Sequence, residues 1–119
     1  MSAMPPKPIR LQRSRRKGAR TPAGAIYVGR PTRWGNPFAA GKFGHMKSVI
    51  LHRHWLAGHL GALTLERLGF SPAEIDALNR LRLRVMANAP QLAGRALQCW
   101  CPLTSDCHAD TLLTLANAA

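Results

Sequence analysis

Ala96-Leu-Gln-Cys-Trp-Cys-Pro-Leu-Thr-Ser-Asp-Cys-His-Ala-Asp110 reads as a strand, a tight corner and the first turn of a helix. Ala96 to Trp100 is a compact β-prone run preceded by Gly94, and Pro102 ends it because a proline has no N–H to give to a ladder. Asp106 is then the expected N-cap of a last helix from Cys107 to about Ala116, with Leu112, Leu113 and Leu115 as its apolar content. A strand handing over directly to a helix sets the class. The rest of the chain is read for the partners of each.

Upstream, Ile9-Arg-Leu-Gln-Arg13 alternates apolar with polar at period 2, and Ala25-Ile-Tyr-Val-Gly29 is a second short β run after the turn Thr21-Pro-Ala-Gly24. Arg30 to Phe43, with two prolines, two glycines and Asn36, reads as a structured loop. Val49, Leu56, Leu60 and Leu63 follow one face of a helix from Lys47 to about Leu63, weakened by Gly58 and Gly61. Ser71-Pro72-Ala-Glu74 opens the next helix with a capping hydroxyl, a proline at the first helical position and a returning carboxylate. Its buried stripe is Ile75, Leu78, Leu81 and Val85, and Asn88-Ala-Pro90 ends it. The order β, β, α, α, β, α predicts an α/β (or α+β) fold: a small single-domain sandwich with a short, mostly parallel sheet of about three strands packed with about three helices. Residues 1–7 are expected to be a disordered leader and 8–119 a single α/β domain.

Lys and Arg number 17 against 5 Asp and Glu, for a net charge of +12, which points to an anionic partner: a nucleotide or nucleic-acid phosphate. No apolar stretch has signal-peptide or membrane length, so no membrane partner is expected. An odd number of closely spaced cysteines suits a reducing compartment, and the expected location is cytoplasmic.

Two motifs can carry chemistry. Gly29-Arg-Pro-Thr-Arg-Trp-Gly-Asn-Pro-Phe38 follows the second strand, where ligands of parallel sheets bind, and offers Arg30, Arg33, Trp34 and Asn36 as guanidinium forks, a stacking face and an amide. Arg16 and Arg20 from the basic N-terminal segment would join them on phosphate. The packing alternative has Trp34 and Phe38 filling the core beneath the loop.

The second motif puts Cys107 and His108 at the start of the last helix, where the dipole favours a thiolate, with Cys107 as nucleophile, His108 as acid or base, and Asp110 either orienting His108 or complementing the dipole. Cys99, Cys101, Cys107 and His108 also number the four ligands of a closed zinc site, although structural zinc usually takes ligand pairs two to four residues apart. Here one pair is separated by a single residue and the other is adjacent. A third reading has Cys99 and Cys101 as small buried hydrophobes. No organic cofactor is expected.

Ile9-Arg-Leu-Gln-Arg13, Arg16-Lys-Gly-Ala-Arg20 with Pro22, Tyr27 to Phe38, and Cys99-Trp-Cys-Pro with Cys107-His-Ala-Asp110 together resemble a small bacterial and phage family, domain of unknown function four-three-two-six. The resemblance brings no activity. It implies a compact cytoplasmic or phage-encoded domain and places Ile9 to Arg20 within the fold. Where that family has an aromatic residue between the glycine and arginine of its first basic motif, this chain has Ala19. Two function classes follow from the residues: a nucleotide- or nucleic-acid-processing enzyme, and a non-enzymatic nucleic-acid-binding module with or without structural zinc. A phage-encoded protein-binding inhibitor is a third.

Overall fold

A computed structural model describes residues 8–118, so the leader expected over 1–7 lies outside the described residues. The described chain is a mixed α/β protein with five helices and a three-stranded parallel sheet. It divides into two compact units, one formed by the two ends of the chain and the other by residues Asn36–Asn88.

The first unit holds the sheet. Strands β1 (Arg10–Gln12), β2 (Ile26–Tyr27) and β3 (Leu97–Cys99) lie in the order β1-β3-β2, with Leu11 and Tyr27 both opposite Gln98. Because strand side chains alternate, Leu97 and Cys99 face one side and Gln98 the other, with Leu11 and Tyr27. A 3-10 turn (Ala89–Leu92) and helix α5 (His108–Asn117) pack together, and α5 lies against β3 on the Leu97 and Cys99 side. Val28, Leu92, Leu97, Cys99, Cys107, Ala109 and Leu112 are buried there and form the core.

The N-cap of α5 is Cys107, one residue later than expected of Asp106. Cys107 keeps an extended backbone (φ −148°, ψ 151°), and its N–H donates to the Asp110 carboxylate at 3.0 Å, closing a capping box. Asp106 is exposed outside the helix.

The second unit is helical: α1 (Ala40–Phe43), α2 (His45–Leu56), α3 (Ala62–Arg67) and α4 (Pro72–Asn88). Phe38 is fully buried at its centre, with edge-on contacts to Trp55 and Phe70 at 5.9 and 5.8 Å. The single helix expected over Lys47–Leu63 is two, because Gly58 takes φ +81° after α2 and only glycine does so without strain. With the register broken, Leu63 is 59 % exposed and Leu65 is buried in its place. Helix α1 is the other addition, within the stretch expected to be loop. Helix α4 begins as its sequence requires: Glu74 N–H donates to Ser71 Oγ at 3.2 Å and Ser71 N–H to Glu74 Oε1 at 2.9 Å. Leu78 and Val85 are buried along its stripe, with Ile75 and Leu81 half-buried.

Candidate functional site

The first unit carries two features of chemical interest, one on each side of its sheet. On the α5 side, Cys99 from β3, Cys101 from the corner and Cys107 at the helix cap bring three sulfurs within 4.8 Å of one another. Cys99 and Cys107 are fully buried, Cys101 half-buried, and none is in a disulfide. The Cys99 and Cys107 sulfurs are 3.2 Å apart, close enough to share an S–H proton. His108 Nδ1 lies 3.4 Å from the Cys107 sulfur, and its Nε2 lies 2.8 Å from the Val28 carbonyl oxygen. Three soft donors at this separation can hold a metal ion.

The electrostatics concentrate charge on one sulfur. The hydrogen bond from Cys99 holds the Cys107 thiol far below its usual range, outweighing burial, with His108 and the Ala109 N–H adding to the effect. Conversely, the Cys107 hydrogen bond and burial push Cys99 up, and burial followed by Cys107 pushes Cys101 up to about 11. Arg10 completes the surroundings. Its Nη2 donates to the carbonyls of Pro102, Leu103 and Ser105 at 3.2, 3.0 and 2.6 Å, and its Nε lies 3.5 Å from Asp110 Oδ1. Its Nη1 is buried with no hydrogen-bond partner among the described residues, and the neighbouring Cys107 and Asp110 side chains hold the guanidinium pKa up against the burial that would lower it. A residue of the basic N-terminal segment is thus built into the corner between the cysteines.

On the opposite side of the sheet, the segment after β1 returns over Gln98, whose Oε1 accepts a 2.8 Å hydrogen bond from Thr21 Oγ1. Between them lies a cleft of about 440 Å³ at the carboxyl ends of β1 and β3, lined in part by Arg13, Ser14, Ala19, Arg20, Thr21 and Trp100. No carboxylate lines it. Trp100 is 41 % exposed and carries the Arg13 and Arg15 guanidinium carbons over its ring at 5.2 and 5.0 Å. Arg13 also lies 4.6 Å from the Tyr27 ring centroid, and Trp100 Nε1 donates to Tyr27 Oη at 3.0 Å.

The residues expected to form a site are therefore distributed. Cys107, His108 and Asp110 do come together, but Cys107 has no exposed surface, and Asp110 is engaged with the Cys107 N–H and with Arg10. The group that orients His108 is the Val28 carbonyl. Of the residues expected on phosphate, Arg20 lines the cleft, Arg16 is exposed on the turn before it, and Arg30 and Arg33 are exposed on their loop. Trp34 is 7 % exposed, so its ring is core and offers no open stacking face. Asn36 belongs to the second unit, where its Nδ2 donates to Ser48 O and Oγ at 3.0 and 2.8 Å and its Oδ1 accepts from Phe38 N–H at 2.9 Å. Arg13, Arg15 and Trp100 were not singled out by the sequence reading. Strand parity held the signal, since Trp100 falls on the Gln98 side of β3 and Arg13 on the Leu11 side of β1.

A short parallel sheet flanked by a thiol cluster and a cationic cleft defines a small α/β domain. The chain belongs to the family described as Domain of unknown function (DUF4326), whose model matches residues 11–118. Neither the curated proteins nor the solved structures offer a match. No helix among the described residues is long and apolar enough to cross a membrane.

Proposed function

We propose that the protein is a binding module for phosphorylated ligands, single-stranded nucleic acid or nucleotides, which it takes in the cleft beside Trp100. The observation that carries this reading is the pair of guanidiniums, Arg13 and Arg15, over one half-exposed indole. Stacking fixes the plane of a guanidinium while leaving its N–H edges free for the bidentate geometry that phosphate favours. A half-exposed indole beside cations at the edge of a groove is also a place on which unpaired bases stack, each stack contributing about 1–3 kcal/mol. The net charge of +12 supports an anionic partner. Ala19, which lines the cleft with a single methyl group, leaves room for a ligand there.

Fluorescence anisotropy with a labelled single-stranded oligonucleotide, with a nucleoside triphosphate as competitor, tests the proposal across a salt series. Affinity should fall steeply with salt, as phosphate contacts release counterions. Arg13→Ala with Arg15→Ala should flatten that dependence, and Trp100→Leu should weaken binding about tenfold or more. Binding that ignores all three substitutions, or no binding at low salt, refutes it.

A second reading adds a metal to the same module, and the three sulfurs within 4.8 Å favour it. Thiolate donors in a closed, buried site select zinc. Catalysis at Cys107 has less support, because a nucleophile needs an approach that a fully buried sulfur lacks.

A further inference from the structure

We infer that Nδ1 of His108 is the fourth ligand of a closed tetrahedral zinc site whose other ligands are the sulfurs of Cys99, Cys101 and Cys107. The inference deepens the zinc reading of the triad and is independent of the phosphate cleft. A carbonyl oxygen only accepts, so the 2.8 Å contact between His108 Nε2 and Val28 O fixes the proton on Nε2. A metal ion takes the place of any proton on Nδ1, and the lone pair it then meets lies 3.4 Å from the Cys107 sulfur. A ligating histidine whose other ring nitrogen donates to a backbone carbonyl is the usual outer arrangement of a metal site, because that bond sets both tautomer and ring orientation.

The spacings fit the ion. Zn–S bonds of about 2.3 Å in a tetrahedron place sulfurs about 3.8 Å apart. The Cys99 and Cys107 sulfurs, at 3.2 Å, need to separate by about 0.6 Å, all three sulfurs already lie within 4.8 Å, and the His108 ring, now against Cys107 alone, must turn toward the other two as the ion enters. The charge fits as well. Three thiolates around a dication leave one net negative charge, and the Arg10 guanidinium, its side chain 8 % exposed, lies in the same corner with a buried Nη1 that has no hydrogen-bond partner among the described residues. The unusual ligand spacing follows from the fold. Cys99 lies on the α5 side of β3, Cys101 follows in the corner, and Cys107 and His108 are the N-cap and first residue of α5. Adjacent residues can reach one ion there because the chain changes from extended to helical between them. Four protein ligands leave no open position, so the ion is structural and pins strand, corner and helix together.

Metal analysis of the full chain purified under reducing conditions should give one zinc per chain, absent from Cys101→Ser. Cobalt(II) substitution should give the visible bands of a tetrahedral site. His108→Ala should shift those bands and weaken zinc, measured by competition with a chromogenic chelator, at least tenfold. His108→Cys should keep tetrahedral cobalt and raise the sulfur-to-cobalt charge-transfer intensity by about a third, which tests the ligand even if the alanine variant does not fold. A wild-type chain that neither contains nor takes up zinc refutes the zinc reading and this inference with it. Zinc lost in Cys101→Ser, with unchanged sulfur-to-cobalt intensity in His108→Cys, refutes the fourth ligand alone.

Discussion

Replacing Arg10 with methionine should destabilise the first unit by about 3 kcal/mol, through loss of the guanidinium that ties the corner to β1. Arg10 Nη2 has two protons facing three carbonyls, so its contacts amount to two charge-assisted bonds shared among them. The bond to Ser105 O, at 2.6 Å and part-buried, is the strongest, and hydrogen bonds to charged groups contribute about 1.5–3 kcal/mol. Those to Pro102 and Leu103 are exposed, so water replaces most of what is lost, leaving roughly 0.5 kcal/mol. The ion pair to Asp110, whose side chain is 49 % exposed, adds at most about 1 kcal/mol. Methionine keeps much of the buried stem volume, so no large cavity adds to the cost. Urea denaturation followed by circular dichroism gives the free energy, and amide exchange over 103–106 locates the loss. A Met variant within about 0.5 kcal/mol of wild type, the scale of an ordinary surface change, would refute this account of the corner.

Three further outcomes are expected. A Cβ on Gly29 would collide with Tyr27 Oη, so Gly29→Ala should displace the ring, cost about 1–3 kcal/mol and shift Trp100 fluorescence; a Tyr27→Ala background should remove most of the cost, and equal costs in both backgrounds would argue against the clash. Leu112→Ala, at a fully buried position on α5, should cost about 3–5 kcal/mol by thermal or urea unfolding, and a loss below 1 kcal/mol would mean that α5 does not anchor the core. The backbone and side-chain hydrogen bonds of Ser71 lower the Glu74 pKa in the folded protein, so its contribution is present above the unfolded carboxyl pKa and lost as pH falls through the folded value. Melting temperatures of wild type and Glu74→Gln should therefore differ at neutral pH and converge in acid, whereas a gap independent of pH would contradict the sign.

The parts of the fold legible in the sequence were those specified by neighbours along the chain. Alternation marked β1 and compact β-prone runs marked β2 and β3, although each ladder is shorter than its run, and Ser71 with Glu74 marked the start of α4 because both halves of a capping box are local. The last helix was misplaced by one residue because Asp is the stronger cap by type, whereas the returning Asp110 carboxylate selects Cys107. The site was harder. Trp34 follows Arg33 directly, whereas the arginines over Trp100 come from the other end of the chain, and only tertiary packing decides that the first tryptophan is core and the second half-exposed. Arg10 was one of the cations counted toward an anionic partner, yet its partners are carbonyls more than 90 positions away. The cysteine cluster was visible as spacing, while the lock on the His108 tautomer came from Val28, a residue with no polar side chain to draw attention.

The strand order has a consequence for synthesis of the chain. Neither β1 nor β2 pairs with the other; each pairs with β3, which begins at Leu97. A ribosome must therefore deliver more than four-fifths of the polypeptide before either early strand finds its partner. The helices of Asn36–Asn88 have their contacts close in sequence and can form while the two edge strands still wait.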